Sequence, residues 1–146
     1  MRAISRQLHP SSLRRDEPLA IDALSAIASG LAAVPPAHTE APARGEVRRT
    51  PLLATPAYDA WLVELGDRAV IDAHDHEGSI GVISVTEGHV VEFVLDAAGD
   101  RPTGFRRLGP GATTEMGITH RHALAASHGP ATTVQVFSPP LGRHDD

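Results

Sequence analysis

From Arg48 onward the sequence is a succession of short apolar runs broken by turn-forming residues, and that punctuation leaves little room for anything but a β fold. The runs are Tyr58 to Leu65, Ala69 to Ala73, Ile80 to Thr86, His89 to Leu95, Phe105 to Leu108 and Thr132 to Ser138. Between them stand Glu87-Gly88, Ala98-Gly99-Asp100 and Pro110-Gly111. Short Val- and Ile-rich runs at this spacing, with glycine and proline at the breaks, are the pattern of an antiparallel sandwich or barrel. The expected architecture is all-β, a small barrel.

The segment ahead of the barrel reads differently. Residues Pro18 to Val34 carry Leu19, Ala23, Ala26, Ile27 and Leu31 on helical spacing, with Asp16 as an N-cap and Gly30 as a weak point, which predicts one helix packed outside the barrel. Pro35-Pro36 ends it, and the proline- and alanine-rich stretch that follows has no periodicity and reads as an extended connector. The division is therefore helix and connector over 1–47 and barrel over 48–146. A chain of 146 residues fits one domain, and a domain of about 150 residues buries roughly 68–70% of its unfolded surface.

Composition removes several function classes. With no cysteine there is no disulfide, no thiolate ligand and no cysteine nucleophile, so the nine histidines are the main soft donors. Met1 to Arg6 lead into polar residues rather than an apolar targeting segment, and no stretch approaches the roughly 20 apolar residues of a membrane span, so a cytoplasmic protein without a membrane partner is expected. The net charge of −5 and the scattered arginines offer no basic stripe for nucleic acid.

His74-Asp75-His76 lies directly before the Ile80 run, and a second cluster, His120-Arg121-His122, follows later in the chain. Side chains alternate along a strand, so the members of an i, i+2 pair project to one side, about 6.5 Å apart along the strand, close enough to share an ion. One such pair occurs freely on polar strand faces. Two, each beside a β run, make a metal site the better reading, and three imidazoles suit a divalent transition metal with open positions. Asp75 should point to the opposite side, and Glu77 and Glu115 read as solvated. His9, His38, His89, His128 and His144 read as loop or surface residues.

With those residues placed, Tyr58-Asp-Ala-Trp-Leu through His74-Asp-His-Glu-Gly-Ser-Ile-Gly to Glu87-Gly88, closed by Phe137-Ser-Pro-Pro-Leu141, resembles the cysteine dioxygenase family of cupins over about the C-terminal two thirds of the chain. The resemblance implies a double-stranded β-helix that holds Fe(II) through three histidines and adds both atoms of O2 to a small thiol, giving a sulfinate. It makes His74 and His76 the first two ligands, with Gly81 where many cupins place a glutamate. Gly117-x-x-His120 suits the general cupin second motif, whereas His122-Ala-Leu-Ala-Ala and its distance to Ser138-Pro-Pro better suit the family. His122 is preferred as third ligand, with His120 the alternate; shared strand parity does not choose between them. Three imidazoles also take Zn, Ni or Cu.

The departures from the family bear on substrate. Pro51 stands where the carboxylate-binding arginine is expected, leaving Arg48 or Arg49 to reach in. The family's Ser-His-Tyr set falls on Thr133, Gln135 and Phe137, so the phenol is missing, although Thr133 and Gln135 retain hydrogen-bonding groups. Trp61, Val134 and Val136 read as core, and Ser138-Pro-Pro as the fixture of the last turn.

The expected activity is an Fe(II)-dependent thiol dioxygenase-like oxidoreductase whose partners are a small thiol and O2, a homo-oligomer being compatible. The alternatives are a cupin oxygenase or lyase of specialised metabolism with redirected chemistry, and a non-catalytic metal-binding cupin. A serine hydrolase is poorly supported, because Ser79 and Ser84 lack the glycine-flanked elbow that exposes a nucleophile.

Overall fold

The computed structural model describes residues 18–34, 40–96 and 101–141. Among these residues helix α1 (Ile21–Ala32) is followed by nine strands: β1 (Val47–Ala54), β2 (Asp59–Leu65), β3 (Val70–Asp75), β4 (Ile80–Glu87), β5 (Val90–Leu95), β6 (Pro102–Leu108), β7 (Thr113–Met116), β8 (Arg121–Ala126) and β9 (Ala131–Ser138). They form two antiparallel sheets, β1-β2-β9-β4-β7 and β3-β8-β5-β6. The apolar runs read from the sequence correspond to β2 to β6 and β9. Three strands, β1, β7 and β8, went without a run of their own.

The five-stranded sheet is covered on both faces. Trp61, Val63, Leu65, Ile83 and Phe137 face Met116 and Leu124 in the interior core. The alternate residues Ala60, Leu62, Val82, Val134 and Val136 meet α1 through its buried Leu24 and Ala28. Burial on two sides explains why β2 and β9 are buried along their whole length.

Helix α1 begins later than the sequence periodicity suggests. Pro18 to Ala20 lie outside it, and Ala20 at the N-cap supplies no side-chain bond. The expected cap Asp16 and the terminating Pro35-Pro36 lie outside the described residues. The entry to the helix is tied instead by a long-range bond, from the Leu19 amide to Ser138 Oγ at 2.8 Å, while Ser138 Oγ itself donates to the Ala57 carbonyl at 2.7 Å.

Strand β1 carries Pro51, which is admissible because the strand lies at the sheet edge, and its register with β2 shifts between Pro51 and Leu53. Before that shift Arg48 stands opposite Glu64 and Arg49 opposite Val63. The two arginines consequently face opposite sides of the sheet. Among the described residues no helix is long and apolar enough to cross a membrane.

Candidate metal centre

Strand β3 ends at Asp75, and its pairing with β8 places His74 directly opposite His122. His76 follows in a tight turn, where Glu77 and Gly78 take left-handed φ of 51° and 94° and the Ser79 amide bonds back to the His76 carbonyl at 3.0 Å. That turn carries His76 inward, to 3% exposure. One ligand atom from each of His74, His76 and His122 lies within 4.8 Å of the others.

The ring nitrogens have defined roles. The β3–β8 register is interrupted between Ile71 and His74, and the Asp72 carbonyl within that interruption accepts the His74 Nδ1–H at 2.8 Å. His122 Nδ1 stands 2.7 Å from Glu92 Oε2. Burial pushes the Glu92 carboxyl up, but hydrogen bonds from His120 and His122, with the nearby Arg106 charge, overcome that and hold it well below the usual carboxylate range. An ionised carboxylate only accepts, so His122 Nδ1 carries the proton. Burial of the His122 ring lowers its pKa although Glu92 pulls the other way, so the imidazole is neutral.

Both Nε2 atoms then present lone pairs, and they face each other at 3.2 Å. Two bare lone pairs at that distance repel unless a cation lies between them. Imidazole nitrogens about 2.0–2.1 Å from a common ion, at angles between square and tetrahedral, stand about 2.8–3.4 Å apart. The donor set therefore fits a transition-metal ion.

His76 is set by packing, its ring stacking on Phe137 with centroids 4.8 Å apart. Behind Phe137 lies Gly81, where an added Cβ would come 2.7 Å from the Phe137 ring and 2.8 Å from the Met116 methyl. A side chain there would force Phe137 or Met116 to shift, and glycine itself offers the histidines no carboxylate. Phe137 is 1% exposed and carries no hydroxyl: it supports a histidine rather than a proton.

His120 touches His122, with ring centroids 5.0 Å apart, but its Nε2 turns to Glu92. Its Nε2 lies 2.8 Å from Glu92 Oε2, and a second close set, Glu92, His120 and His122, results. Strand parity does not extend to His120 because β8 starts only at Arg121, after a turn in which the His120 amide bonds to the Gly117 carbonyl. Glu92 also receives Arg106 through Nε at 2.9 Å. Its two oxygens thus serve three cationic or donor side chains, which makes this set a hydrogen-bonded cluster rather than a second open donor set.

A cavity of about 530 Å³ opens beside the histidines, with Arg49, His74, His76, Gln135 and Phe137 in its wall. Val63, Ile71, Leu124 and Leu141 supply its apolar surface, and Asp72, Asp75 and Glu77 its acidic one. Of the two candidate arginines, Arg49 lines this space. Arg48 does not: its Nε and Nη2 bond both oxygens of the buried Glu64, at 3.0 and 3.1 Å, on the opposite face of the sheet. Thr133 is likewise absent from the wall, since its hydroxyl is buried and donates to the Val63 carbonyl at 2.9 Å while accepting from Gln135 Nε2 at 3.1 Å. Asp75, expected on the far side, borders the cavity and caps the turn by accepting the Glu77 amide at 3.1 Å. Glu77, Glu115, His89 and His128 are exposed, and Trp61, Val134 and Val136 are core.

Glu92 is the functional-site residue that sequence reasoning missed. Its signal was a single carboxylate at an inward position of an apolar strand, Val90-Val91-Glu92-Phe93-Val94-Leu95, where a charge is tolerated only when paired.

No protein-family model and no curated protein matches the sequence. Solved structures do resemble it in fold. KdgF from Halomonas sp. is 25% identical, with 68% of this chain and 82% of that one covered at a TM-score of 0.57. A cupin superfamily protein from Desulfitobacterium hafniense is 17% identical, with 74% and 86% covered at 0.56. A double-stranded β-helix protein from Klebsiella pneumoniae is 18% identical, with 67% and 81% covered at 0.58. With its two antiparallel sheets and, among the described residues, one short helix, the chain has the cupin double-stranded β-helix fold.

Proposed function

We propose that this chain is an iron(II)-dependent thiol dioxygenase, converting a small thiol and O2 to the sulfinic acid, R–SH + O2 → R–SO2H. The observation that carries the reading is the facing pair of His74 and His122 Nε2 lone pairs at 3.2 Å, with His76 beside them, where His74 and His76 line a cavity large enough for a small molecule and His122 lies buried behind them. Iron held there supplies a Lewis acid for a thiolate and a redox partner for O2, and Zn, Ni or Cu would fit the same imidazoles.

The protein's own groups handle binding. Three neutral ligands leave the charge of the ion uncompensated, which favours an anionic sulfur. Arg49 presents a guanidinium to a substrate carboxylate, and Asp72, Asp75 and Glu77 offer acceptors to an ammonium. Phe137 and Leu124 keep the inner wall apolar. The sulfur specificity itself rests on the likeness of the His74-Asp-His-x-x-Ser79 and Ser138-Pro-Pro-Leu141 elements to cysteine dioxygenases.

A second reading, a cupin oxygenase or lyase with redirected chemistry, is favoured by one observation. The phenol position is Phe137, and Gln135 and Thr133 bond each other, so no acid–base relay of the family type stands over the histidines.

The test is O2 consumption by anaerobically Fe(II)-loaded protein with cysteine, 3-mercaptopropionate and cysteamine, with products identified by mass and His74→Ala as control. Uptake that needs His74 and yields a sulfinate supports the proposal. Iron-loaded protein that is silent toward every thiol refutes it in favour of the second reading or a non-catalytic metal module.

A further inference from the structure

The buried cluster behind the histidines contains a charged group with no part in binding substrate. Glu92 is 0% exposed, on the inward face of β5, and one of its oxygens meets both His122 Nδ1 and His120 Nε2 while the other meets Arg106. A fully buried carboxylate is expensive to retain, and an apolar residue at this inward position would continue the pattern set by Val90. Its placement is explained by what it does to His122.

The geometry points to Glu92 as the positioning residue of the metal centre: by accepting the Nδ1–H of His122 it fixes the tautomer that turns an Nε2 lone pair toward His74, with Arg106 and His120 holding the carboxylate in place. The inference rests on the metal centre proposed above. His74 is fixed by a backbone carbonyl, which no substitution of its own side chain can supply or remove, and His76 by stacking on Phe137. His122 takes its tautomer from another side chain, the Glu92 carboxylate. Groups of this kind, which hold a ligand without touching the ion, typically change metal affinity about 10–100-fold when lost.

Glu92→Gln is the informative variant because it keeps the shape and removes the charge. The amide has one acceptor and one donor end. Turning its oxygen to Arg106 leaves its NH2 against His122 Nδ1, which must then become an acceptor, and the ring proton moves to Nε2, where it blocks ligation. The opposite flip sets NH2 against the Arg106 guanidinium, donor to donor.

Two readings of the same proteins test this. Long-range 1H–15N spectra of metal-free protein report which nitrogen of His122 is protonated, and Co(II) titration followed by visible absorption reports affinity without any thiol or oxygen. Wild-type protein is expected to show the Nδ1–H form and Glu92→Gln the Nε2–H form, with Co(II) affinity down about 10–100-fold. Glu92→Asp, which retains the charge one methylene farther back, is expected to keep the Nδ1–H form and fall between the two. The proposal is overturned if wild-type His122 carries Nε2–H, if wild-type protein takes up no Co(II), or if folded Glu92→Gln keeps both tautomer and affinity. Should Glu92→Gln not fold, the wild-type spectrum and Glu92→Asp still decide. Failure to oxidise thiols would remove the thiol reading and leave these results standing.

Discussion

Adding one methyl group at Gly81 tests how the packing behind His76 supports the site. The Gly81 backbone is not in the left-handed region, so Gly81→Ala introduces no conformational strain and the effect comes from space alone. The new Cβ would sit 2.7 and 2.9 Å from two carbons of the Phe137 ring and 2.8 Å from the Met116 methyl, where ordinary contact needs at least 3.4 Å. Met116 can bend away at its flexible end. Phe137 cannot retreat freely, because its ring also stacks on His76. Overpacking of this kind costs about 1–3 kcal/mol. At about 2–4 °C per kcal/mol for a chain near this size, the thermal midpoint should fall by about 2–12 °C. Circular dichroism melts measure it, and a cycle with Phe137→Leu should return a coupling of about 0.5–3 kcal/mol, because the smaller side chain relieves the clash. A Gly81→Ala protein within about 0.5 kcal/mol of wild type, the range of inert surface changes, would refute the packing account.

Other perturbations separate the remaining parts. Leu24→Ala, at the buried contact of α1 with the five-stranded sheet, should cost about 2–5 kcal/mol in chemical denaturation without altering metal content. Arg49→Ala should raise KM for carboxylate-bearing thiols and leave cysteamine unaffected, whereas Arg48→Ala should lower the melting temperature with KM unchanged, since it removes the guanidinium that bonds both oxygens of the buried Glu64. Stability should rise with pH through the acid range. His122 in the folded protein titrates below its ordinary value, so the unfolded chain binds the extra proton and stability is lost as pH falls below about 6.5. Glu92 is also lowered, and its contribution is lost as pH falls from about 4.5 toward its folded value. Urea melts across that range check the sign, and Glu92→Gln should flatten the lower part.

The fold was legible where burial leaves a continuous or alternating apolar record, as in β2, β4 and β9. It was illegible where the strand-forming signal is weak. Strand β1 is Val-Arg-Arg-Thr-Pro-Leu-Leu-Ala, with proline tolerated only by its edge position, and β8 is Arg-His-Ala-Leu-Ala-Ala, with no β-branched residue. The histidine pairs stand out in the sequence because i, i+2 spacing survives any register. The relation of Glu92 to His122 does not, because it depends on the pairing of β5 with β8, which sets Glu92 opposite Leu124 and Val94 opposite His122. Parity failed to separate His120 from His122 for a local reason: the turn before Arg121 ends the alternation one residue short of His120. Likewise, that Arg49 faces the cavity and Arg48 the outer surface follows from the register with Val63 and Glu64, which residue type alone does not reveal.

The central claim is that His74, His76 and His122 hold one metal ion and His120 does not. Iron content of anaerobically Fe(II)-loaded, desalted protein tests it most directly, comparing wild type with His74→Ala, His76→Ala, His122→Ala and His120→Ala. The account predicts about one iron per chain in wild type and His120→Ala, and little in the other three. Wild-type protein without iron, or full iron in His122→Ala, would contradict it.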